Sequence, residues 1–106
     1  MERAWGLDET EEGVAVRGEI DLASAAEFCE RLYEAVKDAP DPLIIDMSGV
    51  TFIDSAGVHA LTRFAAVTAQ SNLVIEASQH VFNVLEIVGL TEGGWPHVLV
   101  LPPLDG

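Results

Sequence analysis

Leu43-Ile44-Ile45-Asp46-Met47-Ser48-Gly49-Val50-Thr51-Phe52-Ile53-Asp54-Ser55-Ala56-Gly57-Val58 is the stretch whose reading decides the fold. The apolar run that opens it, Leu43 to Ile45, is too short for a helix and predicts a buried strand reaching Met47. The polar, glycine-containing residues after Met47 predict a loop, and Asp54-Ser55 then opens a segment of small and apolar residues at helical spacing. Strand, loop and helix start in succession are the repeating unit of an α/β domain. The Ser55 hydroxyl falls at the helix N-terminus, where the first N–H groups lack intrahelical partners and the dipole is positive. Two readings stand side by side. Either Asp54 and Ser55 only cap the helix, or Ser55 is acted on by another protein, and a phosphate placed there would meet unpaired N–H groups.

Upstream, Arg3 to Leu7 predicts a short strand, Asp8 to Gly13 a polar turn, and Val14 to Ile20 a second strand, together a β-hairpin. The acids of that turn lack the spacing and central glycine of a calcium loop. Ser24-Ala25-Ala26-Glu27 has the spacing of a capping box, so the first helix begins there. Ala25, Phe28, Cys29, Leu32, Ala35 and Val36 form its apolar stripe, and Glu27, Glu30, Arg31, Glu34 and Lys37 its solvated face. Pro40 and Pro42 stop it. Two strands joined through this helix make a βαβ unit, which makes Val14 to Ile20 and Leu43 to Met47 parallel neighbours with a right-handed crossover. Their C-terminal ends share one sheet edge, and the expectation is that Asp21, Ser48, Asp54 and Ser55 gather there.

Downstream, the second helix is expected from Ser55 to about Ala69, with Val58, Leu61, Ala65 and Thr68 on one stripe. Ala56, Gly57 and Ala60 allow close approach. Ser55, His59 and Arg63 follow at four-residue spacing and share one side, either as a plain solvated stripe or as a docking surface beside the serine. After a turn at Gln70-Ser71-Asn72, Leu73 to Ala77 predicts a strand, with Ser78 as N-cap of a helix through Val81, Val84, Leu85 and Val88. Gly89 followed by Leu90 fits a left-handed helix terminus. Thr91 to Trp95 reads as a loop, His97 to Leu101 as a last strand, and Pro102 to Gly106 as a tail that is not helical at its start.

Length and composition narrow the function classes. At 106 residues the chain makes one domain that buries roughly 65% of its unfolded surface without disulfide or metal. Five Lys and Arg against eighteen Asp and Glu give a formal net charge of −13, which repels nucleic acid and anionic membranes. A lone cysteine, Cys29, on an apolar helical face reads as a small hydrophobe. Met1 to Gly6 lacks the pattern of a leader, and no apolar run is long enough to span a bilayer, so the expected location is the cytoplasm. Hydrolase chemistry needs a nucleophile, a base and an oxyanion hole. Asp54-Ser55-Ala56-Gly57 is not a G-x-S-x-G elbow, and His59 lies one turn along the same helix. His80 and His97 have no placed partner. No metal-ligand spacing, P-loop or dinucleotide fingerprint occurs. The expectation is a non-enzyme with no cofactor and no metal.

Three segments then carry a resemblance: Gly18-Glu19-Ile20-Asp21, Asp46-x-Ser48-Gly49-Val50-x-x-Ile53-Asp54-Ser55-x-Gly57-x-x-x-Leu61, and Val81-x-x-Val84-Leu85-x-x-x-Gly89-Leu90. Together they resemble the STAS domain of bacterial anti-sigma factor antagonists, from about residue 13 to residue 90. The resemblance implies an α/β STAS fold over residues 1–106, with a four- to five-stranded mixed sheet and three helices. The expected fold lacks the family's usual C-terminal helix, with the Pro102 to Gly106 tail in its place. It implies that Ser55 is phosphorylated by an anti-sigma factor that is also a serine kinase. The unphosphorylated protein would bind that kinase and free the sigma factor. Asp21 and Asp54 would orient the hydroxyl or shape the docking surface. Ala56 stands where many members carry a second serine, which leaves one acceptor. The expected partner-binding residues are Asp21, Asp54, Ala56, His59 and Arg63, on a monomer or weak homodimer. The alternative is an unphosphorylated STAS adaptor subunit of a lipid-transport or stress-signalling complex.

Overall fold

The computed structural model describes residues 4–37, 39–68, 71–91, 93 and 95–104. The described elements run β1 (Trp5–Glu9), β2 (Gly13–Ile20), α1 (Ala25–Val36), β3 (Leu43–Ile53), α2 (Ser55–Val67), β4 (Leu73–Ala77), α3 (Gln79–Ile87) and β5 (Val98–Leu101). The five strands lie in the order β1-β2-β3-β4-β5, with β1 antiparallel to β2 and every later pair parallel. This is the mixed α/β sheet with three helices that the sequence implies. Several expectations fall outside the described residues: the strand start at Arg3, the helix end at Ala69, Gln70 of the turn, Glu92 and Gly94 of the loop, and Asp105-Gly106 of the tail.

Each helix connects adjacent parallel strands, and the chain steps across the sheet in one direction throughout. Right-handed crossovers then send all three helices to one face. Burial follows that geometry. Trp5, Leu7, Val14, Val16, Leu43, Ile45, Met47, Leu73, Ile75, Ala77 and Val100 alternate inward and are buried. The residues between them on β3, β4 and β5, namely Ile44, Asp46, Val74, Glu76, Leu99 and Leu101, are half-buried or exposed. Phe28 and Leu32 of α1, Leu61 and Phe64 of α2, and Val81 and Leu85 of α3 complete one core. Aromatic edges lock it: Trp5 meets Phe28 at 6.0 Å and 85°, and Tyr33 meets Phe64 at 5.5 Å and 65°.

Four local differences from the sequence reading have physical causes. First, β1 runs on to Glu9, because Asp8 and Glu9 pair with Ala15 and Val14. The turn shrinks to Thr10 through Glu12, where the Thr10 hydroxyl accepts the N–H groups of Glu12 and Gly13. Exposed Asp8 is tolerated on this edge strand and forms a 2.6 Å ion pair with Arg17. Second, β3 extends to Ile53 instead of ending at Met47. β2 continues beside it, pairing Arg17 with Gly49 and Ile20 with Ile53, and two register shifts take up the extra residues of β3, one at Met47-Ser48 and one at Thr51, so Ser48-Gly49 lies within the strand rather than in a loop. Third, Ser24 is the N-cap residue of α1 but makes no side-chain cap bond, so the capping box does not form. Its hydroxyl instead accepts the Asp21 N–H at 3.0 Å. Fourth, His97 precedes β5 rather than starting it, since its φ is +58°.

The end of α3 is as expected. Gly89 has a φ of +82°, the Leu90 N–H donates to the Leu85 carbonyl at 2.9 Å, and the Gly89 N–H donates to Glu86 at 3.0 Å. That pair of bonds is a Schellman terminus, which favours glycine because a side chain is strained at this φ.

Candidate functional site

β2 and β3 end together. The Asp54 N–H donates to the Ile20 carbonyl at 3.2 Å, tying the start of α2 to the residue before Asp21. Asp54 is the N-cap of α2, in extended conformation, and its Oδ1 accepts the Gly57 N–H at 3.1 Å. This satisfies one of the unpaired donors at the helix start and leaves Ser55 as the first helical residue. Ser55 is exposed, and among the described residues its hydroxyl has no hydrogen-bond partner. Of the two open readings, capping therefore belongs to Asp54, and the Ser55 hydroxyl is free.

Gly57 explains how the helix sits so close to the strands. A Cβ there would lie 2.6 Å from Ile53 Cγ1 and 3.0 Å from both Ile20 Cγ2 and the Ile20 carbonyl oxygen. Only a hydrogen fits in that space. The close seat keeps Ser55 beside the two strand ends.

Asp21 sits at the neighbouring strand end, but its carboxylate has a local task. Its Oδ1 accepts the N–H groups of Ala23 at 3.1 Å and Ser24 at 3.3 Å, and the Ser24 hydroxyl at 3.2 Å. Its backbone carbonyl takes the Ser24 and Ala25 N–H groups. Asp21 thus builds the turn into α1, and its charge is held in place beside the β2 end. His59 and Arg63 are exposed with Ser55 along one side of α2, while Gly57, Ala60, Leu61, Phe64 and Ala65 form the buried side. Val58 and Thr68 are only half-buried, and Phe64 provides the bulk that the sequence reading placed elsewhere. Ala56 is half-buried.

Ser48 does not join this group. The extension of β3 leaves it five positions before Ile53, so the distance along the strand is about 16 Å. There its hydroxyl and N–H bond Asp46 Oδ1 at 2.7 and 2.9 Å.

Two neighbours of the site carried no sequence signal. Leu22, next to Asp21, is 80% exposed, and Phe52, three residues before Ser55, is 41% exposed. Phe52 stacks on His80 at 5.5 Å and 27°, and the His80 ring nitrogen contacts the Ile53 carbonyl at 3.4 Å. His97 bonds the Ala65 carbonyl at 2.9 Å. No imidazole hydrogen-bonds Ser55 among the described residues, and no cluster of His, Cys, Asp or Glu there is suited to a metal. No helix among them is long and apolar enough to cross a membrane.

Residues 5–102 match the family described as "Mlab, STAS domain". Over 58 residues the chain is 40% identical to the anti-sigma-F factor antagonist RsfB of Mycobacterium tuberculosis, in strains CDC 1551 / Oshkosh and ATCC 25618 / H37Rv. That alignment takes in 55% of this chain and 48% of the relative, so the match spans about half the length of the curated relatives. In overall fold the chain resembles the anti-sigma factor antagonist SpoIIAA in its unphosphorylated form, with a TM-score of 0.64 and 24% identity. That superposition covers 96% of this chain and 90% of the other.

Proposed function

The chain belongs to the STAS domain family, and from that premise we propose that it is an anti-sigma factor antagonist switched off by phosphorylation of Ser55. The observation that carries the reading is the free, exposed Ser55 hydroxyl on a helix start already capped by Asp54. A kinase can reach such a hydroxyl without unfolding the helix or breaking its cap.

In this reading the unphosphorylated protein docks an anti-sigma factor serine kinase on the surface formed by Asp21, Asp54, Ala56, His59 and Arg63. Exposed Leu22 and Phe52 add apolar area at its margins. A phosphate on Ser55 adds close to two negative charges beside the carboxylates of Asp54 and Asp21. At about 5 Å and an effective dielectric near 20, each unit pair repels by about 3 kcal/mol. The same charge would also oppose any acidic group of the partner, so binding reverses without refolding.

The test is direct. The protein is incubated with ATP and an extract of its native host, then mapped by mass spectrometry. One phosphate is expected on the peptide containing Ser55, with none on a Ser55→Ala protein. Equal phosphorylation of the Ser55→Ala protein refutes the site. Affinity purification of wild type and Ser55→Asp from the same extract tests the switch: the wild type retains an anti-sigma factor that Ser55→Asp loses. A transporter subunit retained equally by both, with no phosphoserine, favours the adaptor reading instead.

A further inference from the structure

We propose that the face of the sheet that carries no helix among the described residues, at β3, β4 and β5, binds a basic amphipathic helix of a partner protein. The site lies on the opposite side of the sheet from the helical layer and does not depend on Ser55.

Two rows of side chains define it. Ile44, Val74 and Leu99 stand directly opposite one another on the three strands. Adjacent strands are about 4.8 Å apart, so this apolar row is about 10 Å wide, the diameter of a helix. Leu99, on the edge strand β5, is 56% exposed, and Ile44 and Val74 beside it are half-buried. Two residues along, Asp46, Glu76 and Leu101 form the second row in the same register. This row lines a groove of about 600 Å³ together with Ser48, Pro103 and Leu104.

Charge selects the occupant. Asp46 and Glu76 are like charges on directly paired positions, an arrangement that destabilises a strand pair. β3, β4 and β5 contain no Lys or Arg, and no cation pairs with either carboxylate among the described residues. A second copy of this chain is disfavoured, because a two-fold contact would bring the same two acids face to face on molecules of net charge −13. A helix with a leucine stripe and Lys or Arg one turn further on fits both rows. One turn is about 5–6 Å, against about 7 Å between rows along the strand. The apolar stripe covers Ile44, Val74 and Leu99, and the cation enters the groove between Asp46 and Glu76.

The probe is a synthetic Leu/Lys amphipathic peptide of about 18 residues, five helical turns, beside a scrambled peptide of the same composition. Each is titrated into isotope-labelled protein and followed by NMR. Shift changes are expected on β3, β4 and β5, with weaker binding of the scrambled peptide. Asp46→Asn combined with Glu76→Gln lowers affinity about tenfold, the scale of a charge-assisted contact. Glu30→Gln with Glu34→Gln, on the exposed side of α1, leaves it unchanged. Three results overturn the proposal: equal binding of the scrambled peptide, shifts centred on α1, or equal loss in the two double variants. Shifts of the same rows on simple dilution of the protein also overturn it, in favour of self-association.

Discussion

Gly57→Ala separates a steric requirement from a helical preference. In an ordinary helix interior, alanine is more stable than glycine by about 1 kcal/mol. Here the new Cβ meets Ile53 Cγ1 at 2.6 Å and Ile20 at 3.0 Å through both a side-chain carbon and the carbonyl oxygen. Carbon atoms normally pack at about 3.5–4.0 Å, so about 1 Å of movement is needed. Neither neighbour can swing aside, since Ile53 is 2% and Ile20 0% exposed. Overpacking of this kind costs about 1–3 kcal/mol, and contact with a backbone atom puts this site in the upper half of that range. After subtracting the propensity gain, the net loss is about 1–2 kcal/mol, or roughly 5–10 °C in Tm. Urea denaturation of wild type and variant measures it. A double-mutant cycle identifies the cause, because Ile53→Ala removes the closest atom. In that background Gly57→Ala costs about 1 kcal/mol less than in the wild type. A Gly57→Ala protein as stable as the wild type, or strict additivity in the cycle, refutes the reasoning.

Asp54→Ala removes the cap on Gly57 and lowers stability by about 1 kcal/mol in urea denaturation, whereas Asp54→Asn keeps an acceptor and changes it by only a few tenths. Ser55→Ala stays within about 0.5 kcal/mol of wild type in the same assay, because Asp54 already supplies the cap. Gly89→Ala costs about 1 kcal/mol for a different reason: no atom lies within 4 Å, and the penalty comes from the φ of +82°. Its double-mutant cycle with Ile53→Ala is therefore additive. Phe64→Ala, at a fully buried ring against Tyr33, costs about 3–5 kcal/mol by thermal or chemical denaturation.

Local patterns carried most of the architecture. The hairpin, the cap at Ser78 and the Gly89-Leu90 terminus all depend on interactions within a few residues, which composition and spacing encode, while the parallel pairing of β2 with β3 followed from the capped helix read between them. Asp54 as a cap was legible for the same reason. What misled the reading was polarity within a strand. Ser48-Gly49 has the composition of a loop, yet β2 supplies hydrogen-bond partners beyond it, so pairing overrides the local preference and carries Ser48 away from Ser55. Asp8 and Glu9 entered a strand because one side of β1 faces solvent. Asp21, not Ser24, supplies the side-chain acceptor at the start of α1, since the turn before the helix offers its carboxylate several donors at once.

The sequence by itself determined the order and type of the elements and the place of Ser55 at a helix start, because periodicity, caps and turn residues act at short range. Only the tertiary structure decided which groups that serine meets. The pairing of β3 with β2 set how far Ser48 lies from it, and the close seat of Gly57 on Ile20 and Ile53 holds it at the strand ends. The tertiary structure also decided that the three helices of the described residues share one face of the sheet. That follows from the handedness of three successive crossovers stepping the same way, a property of the assembled sheet and not of any one segment.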